Sequence, residues 1–206
     1  MSRSTSKGTC ELCGKSFGKA AMSRHLRTCS APDSEAPAEG RPAFHVVVEG
    51  RYSTAYWLHL AVPVDVSLRQ LDSFLRRIWL ECCGHMSAFY LGKREEVAMG
   101  SRAGRVLQPG MVLTYKYDFG STTELTVKVL EPRKSLASGG AIELLARNDE
   151  PEVVCDACGA EMATRICTQC ADGWLCDSCA ANHKCGEEAM LPVVNSPRTG
   201  VCGYDG

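Results

Sequence analysis

Four pairs of metal-type ligands follow one another between residues 155 and 185: Cys155 and Cys158, Cys167 and Cys170, Cys176 and Cys179, then His183 and Cys185. Three pairs have C-x2-C spacing and the last is H-x-C, so each presents two soft donors from one tight turn. Eight such donors make two tetrahedral Zn²⁺ sites with every position filled by protein. The short intervals decide how the pairs divide. Eight residues separate the first two pairs and five separate the next two, too few for each loop to fold back around its own ion. Alternate pairs are therefore expected to share an ion: Cys155, Cys158, Cys176 and Cys179 hold one, and Cys167, Cys170, His183 and Cys185 hold the other. Cys202 is a ninth donor and the alternative to His183 or Cys185.

A separate signal stands near the N-terminus, where Cys10, Cys13, His25 and Cys29 give C-x2-C-x11-H-x3-C. Phe17 lies four residues after Cys13, and Met22 lies three before His25 with Leu26 beside it. The segment resembles the Cys2His2 class of ββα zinc fingers, with Cys29 in place of the last His and one residue fewer between Phe17 and Met22. A unit this small takes its stability from the metal, about 10 to 16 kcal/mol of binding free energy. Over Val154 to Cys185 the alternating order and the closing H-x-C are similar to cross-braced fingers of the B-box and AN-one types. Here Cys179 stands at the sixth ligand position, where those fingers often carry His. Three Zn²⁺ ions are expected in all.

Thirteen cysteines in an exported chain would suggest a disulfide framework. The N-terminus MSRSTSKGTC has no apolar core of a signal sequence, and no apolar run approaches eighteen residues. The expectation is a soluble cytoplasmic protein whose thiols bind metal. The net charge of −1 hides an uneven distribution. Residues 1–30 carry six Lys and Arg against Glu11, whereas residues 151–206 carry eight acids against Arg165, Lys184 and Arg198. Lys15, Lys19, Arg24 and Arg27 of the finger suit a phosphate backbone, DNA or RNA, although one finger spans only about 3 bp. The acidic C-terminal module suits a protein partner.

Between the metal-binding ends, residues 31–42 are rich in Pro, small residues and acids, and are expected as a flexible linker. Residues 43–150 then read as an α+β domain: a small antiparallel sheet with one long helix across it. Strands are expected in AFHVVVEG, AYWLHLAV, MSAFYL, MVLTYKYDF, ELTVKVL and AIELLAR. The helix opens at Ser67 with Gln70 three residues on, the capping-box pattern. Leu68, Leu71, Leu75, Ile78, Trp79 and Cys82 form its apolar stripe, and Arg69, Asp72, Arg76 and Arg77 are expected to face water. Cys82 thus reads as a small core residue, Cys83 as a free thiol, and His85 as a group satisfying helix-end carbonyls. Asp118 reads as a turn residue bonding its own backbone. His45 and His59 read as core or cross-strand residues.

In this middle region Gly84, His85 and Phe89, followed by Tyr117, Asp118, Phe119 and Gly120, resemble the plasmid pRiA ORF-three-like family. The resemblance runs from Phe44 to Leu130. After Gly120 this chain has Ser121, Thr122 and Thr123 where the family carries an acid and an aromatic. The resemblance implies a shared fold and a setting in plasmids and mobile elements, and defines no reaction.

The chain is thus expected to be a zinc-binding modular protein without catalysis: a finger in residues 1–30, the linker, the α+β domain, and a cross-braced two-zinc module with its tail in residues 151–206. It would act as an adaptor for a protein partner or for nucleic acid, with no membrane contact and no small-molecule substrate identified. Two alternatives stand beside this: a scaffold without nucleic acid, and an enzyme with its site near His85 and Asp118. Arg198 in the tail is a candidate for peptide-like recognition.

Overall fold

A computed structural model describes residues 6–29, 40–92, 94–135, 141–170 and 173–206. Its main feature is a nine-stranded antiparallel sheet, larger than the small sheet expected, because it also takes in the finger. The finger supplies β1 (Lys7–Cys10) and β2 (Ser16–Gly18), followed by α1 (Lys19–His25). The middle region supplies β3 (Arg41–Gly50), β4 (Trp57–Pro63), β5 (Ser87–Leu91), β6 (Glu95–Val97), β7 (Val112–Tyr117), β8 (Thr123–Ser135) and β9 (Glu143–Asn148). Their order across the sheet is β2-β1-β9-β4-β3-β8-β7-β5-β6. Of the expected linker, residues 31–39 lie outside the described residues, and β3 already begins at Arg41.

β4 shows why this sheet has two cores. All seven of its residues are buried, and alternate side chains point to opposite faces. Leu58, Leu60 and Val62 enter the main core with Val46, Val48, Leu125 and Val127. Trp57 and Ala61 point the other way and meet Met22 and Leu26 of the finger.

The main core is closed by α2 (Leu68–Leu75), whose Ser67 and Gln70 form the expected capping box. Leu68, Leu71, Leu75 and Trp79 are buried in it. After Leu75 the helix widens into a π-turn, Arg76–Leu80, closed by the bond from Glu81 N to Arg76 O. The extra residue per turn lets both Trp79 and Leu80 face inward. Asp72 and Arg76 depart from the expected water-facing stripe. Asp72 is buried and accepts from the Tyr115 hydroxyl at 2.7 Å, the Ser87 hydroxyl at 2.6 Å and Arg76 Nε at 3.0 Å. A carboxylate inside a core needs such donors. The short helix α3 (Ala103–Val106) lies between β6 and β7.

The C-terminal module has its own three-stranded sheet, β11-β10-β12, made of β10 (Arg165–Cys167), β11 (Trp174–Leu175) and β12 (Met190–Pro192). Helix α4 (Asp177–Ala181) carries Cys179. Among the described residues no helix is long and apolar enough to cross a membrane.

Candidate metal centres

In the finger, Cys10 ends β1 and Cys13 follows in the turn to β2. Gly14 at φ +70° donates its N–H to Cys10 O, and Cys10 N–H bonds to Lys15 O. Gly159 at φ +65° makes the equivalent bond to Cys155 O in the C-terminal module. A side chain at either position would strain the left-handed backbone that brings the two sulfurs of the pair together. His25 at the end of α1 stacks on Phe17, ring centroids 4.4 Å apart, and presents Nε2 to the Cys13 sulfur at 3.3 Å.

The three expected ligand sets each come together. The donor atoms of Cys10, Cys13, His25 and Cys29 lie within 4.8 Å of one another, as do those of Cys155, Cys158, Cys176 and Cys179, and those of Cys167, Cys170, His183 and Cys185. The alternating division of the C-terminal pairs is the one the structure adopts. Donor chemistry and spacing both fit zinc. With Zn–S of about 2.3 Å and Zn–N of about 2.0 to 2.1 Å, a regular tetrahedron puts two sulfurs about 3.8 Å apart and a sulfur and a nitrogen about 3.5 Å apart. Cys10 to Cys29 and Cys158 to Cys176 are each 3.9 Å, Cys170 to Cys185 is 3.4 Å, and Cys170 to His183 Nε2 is 3.4 Å. A disulfide would need about 2.05 Å.

The thiols compete for ionisation within each set. Backbone N–H groups, first that of Cys158, pull Cys155 down to about 6. Cys179 is pushed up to about 12 by the neighbouring Cys176 and Cys155. In the finger the Lys15 amide lowers Cys13, while burial and the adjoining Cys13 and Cys10 push Cys29 up to about 12. Four soft donors with only part of their charge in place are completed by a dication, which lets the last thiol ionise.

A fourth group of the same chemistry joins Cys82, Cys83, His85 and Cys202, again within 4.8 Å. The expected count of three clusters is therefore one short. Cys82 is half-buried and packs against the main core as its place in the stripe suggests, and Cys83 and His85 lie beside Cys202 of the tail. His85 Nε2 faces the Cys202 sulfur rather than the helix-end carbonyls expected of it, and the Glu81 carboxylate accepts from Gly84 N–H at the same turn. Cys202 sits with this group and away from His183 and Cys185. The sequence offers no local spacing for it, because His85 and Cys202 are 117 positions apart.

The groups suggested for catalysis are engaged with one another. Asp118 forms the expected turn, with its Oδ1 accepting from Gly120 and Ser121 N–H. Its Oδ2 accepts from Arg198 Nη2 at 2.8 Å, which holds the carboxyl down at about 2. His85 Nε2 is 3.7 Å from the same oxygen. Arg198, exposed in a recognition role by sequence, is fully buried and also donates to the Thr123 hydroxyl and Ser121 O.

Of the four finger cations singled out, Lys19 pairs with Glu49 at 2.7 Å and Arg27 with Glu131 at 3.1 Å. Lys15 and Arg24 are exposed. α1 lays Met22 and Leu26 on Trp57, Ala61 and Ala146, and β1 pairs with β9 through Gly8 and Asn148, Thr9 and Arg147, and Cys10 and Ala146. Gly8 lies so close under the Trp57 indole that a Cβ would sit 2.4 Å from it.

No family model matches the chain, and no curated protein does. Among solved structures, a protein of unknown function from Methanosarcina mazei Go1 is similar over 52% of this chain and 68% of that one, at 14% identity and a TM-score of 0.44. A likeness at that level carries no argument for fold or function.

Proposed function

We propose that this chain is a zinc-stapled interaction protein without a catalytic centre, whose ligand is another protein. The observation that carries the reading is that each expected cluster gathers four protein donors. An ion so held has no open position for water or substrate, so its contribution is to folding. The finger's packing supports a protein partner over nucleic acid. Its helix is occupied by the sheet, and Glu49 and Glu131 neutralise two of its four cations. The resemblance of the middle region to the plasmid-borne family is compatible with an adaptor role and adds no reaction to it. Contact with nucleic acid is the second reading, favoured by the exposure of Lys15 and Arg24.

Affinity recovery of the intact zinc-loaded protein, with and without nuclease, tests the choice. The same proteins are expected to be recovered in both arms, with salt having only a modest effect. Recovery that vanishes on nuclease treatment, together with loss of binding in Lys15→Ala/Arg24→Ala, would overturn the protein-partner reading in favour of the second.

A further inference from the structure

We propose that Cys82, Cys83, His85 and Cys202 form a fourth Zn²⁺ site, which fastens the C-terminal tail to the end of the long helix. Three thiolates and an imidazole are a complete tetrahedral set for zinc. His85 Nε2 lies 3.3 Å from the Cys202 sulfur, close to the sulfur–nitrogen edge of such a tetrahedron. The local chain is shaped for it. The helix ends at Glu81, and Gly84 at φ +72° reverses the backbone so that His85 returns to the side of Cys82 and Cys83.

The tail brings Cys202 to this turn at a conformational cost. Cys202 has φ +54°, and among the described residues only Asp118 shares with it a positive φ at a non-glycine position. Asp118 is accounted for by its turn. Cys202 and Gly203, at φ +54° and +67°, are the central residues of a turn closed by Tyr204 N–H to Val201 O at 3.0 Å, and this turn holds the Cys202 side chain against His85.

The surroundings also suit a metal-bound thiolate. Arg198 Nη2 points at the Cys82 sulfur from 3.4 Å while bonding Asp118 with the same nitrogen. The Tyr117 hydroxyl is 3.9 Å from that sulfur, and the His85 ring meets the Tyr117 ring edge-on at 5.8 Å. Arg198, oriented by its pair with Asp118, thus donates from behind to a sulfur of the set, as groups behind metal ligands commonly do. Cys83 and Cys202 are exposed, unlike most ligands of the other clusters. This ion is therefore the one that exchanges fastest with a chelator.

Zinc content of the intact protein, purified with reductant and without chelator, tests the site against Cys202→Gly. Glycine relieves the backbone at φ +54°, so a Cys202 with no ligand would leave zinc content unchanged and the melting temperature equal or higher. The site predicts the reverse: four ions in the wild type, three in Cys202→Gly, and a lower melting temperature. Cobalt(II) loading followed by visible absorption gives a second measure, with one site's worth of thiolate-to-cobalt signal lost in the variant. Three ions in both proteins would overturn the fourth site while leaving the other three clusters untouched. A disulfide from Cys202 to Cys82 or Cys83 that persists under reductant would also overturn it.

Discussion

His45 and His59 face the finger side of the sheet, both essentially inaccessible to water. With both rings neutral, one arrangement satisfies their contacts. His45 Nδ1 faces Glu131 at 3.5 Å and donates to it, which leaves His45 Nε2 to accept from His59 Nδ1–H at 2.8 Å. His59 Nε2, buried, then carries a lone pair. A proton on that nitrogen would face an unsolvated wall. Burial pushes His45 down to about 4, helped by Arg133, and His59 down to about 3, helped by His45. The unfolded chain begins to take up these protons below about pH 6.5, while the folded protein refuses them until about pH 4. Stability is therefore complete above about pH 6.5 and falls as the pH drops toward 4, by up to about 1.4 kcal/mol per pH unit for each ring. Acid also releases zinc, so the comparison is made at buffered free zinc against His45→Val/His59→Val, which places strand-favouring β-branched side chains at both positions. The gap between the urea midpoints of the two proteins should narrow from pH 7 to pH 5. Parallel pH curves would contradict the neutral pair.

At the scale of elements, local signals and long-range pairings behave differently. The capping box at Ser67 is local and was legible: hydroxyl, amide and Gln70 are all within four residues. Ser67→Ala should lower stability by about 1 kcal/mol, read as a shift in urea midpoint with unchanged slope. The C-x2-C pairs were equally legible, because a pair and its turn are one piece of chain. The union of β1 with β9 was not, because Lys7 and Asn148 share no local pattern and the contact depends on Trp57 protruding from a strand buried on both faces. Asp72 was misread for a related reason. Its position on the helix is polar in sequence, and only Tyr115 and Ser87 from other strands make it an inward position. The consequence for the finger is testable. If it were an independent unit, Cys10→Ser would remove one zinc and affect residues 6–29 alone. Because Cys10 pairs with Ala146 inside one sheet, the variant should lose one zinc and also speed hydrogen exchange of the β9 amides. The protection of β7 should be retained, since β4, β3 and β8 stand between it and β9.

Across the whole molecule, the tail is where the separately stapled parts meet. Asn195 exchanges hydrogen bonds with Asn148, its side-chain N–H reaching Asn148 O at 2.9 Å, and its backbone carbonyl accepts from Arg147 Nη2 at 2.6 Å. Ser196 donates to Trp79 O at 2.6 Å, at the inner end of the long helix. Arg198 is inserted beside Asp118 and Thr123. Gly200 passes so close to Ile166 of the zinc module that a Cβ would sit 2.8 Å from that side chain. A terminal segment of turn formers would ordinarily be dispensable. Here it supplies partners to groups at the end of β9, the helix end and the Asp118 turn at once. A chain ending at Val194 keeps all twelve ligands of the first three clusters, so it should still bind three zinc ions. It should nevertheless melt well below the full chain, because each neutral hydrogen bond lost is worth about 1 kcal/mol and Asp118 is left facing the core without its cation. Arg198→Met in the full chain separates the two contributions: it removes the cation and keeps the Asn195 and Ser196 bonds, so its melting temperature should fall between the two. A truncated chain as stable as the full one would mean that the tail only lies on the molecule and does not hold it together.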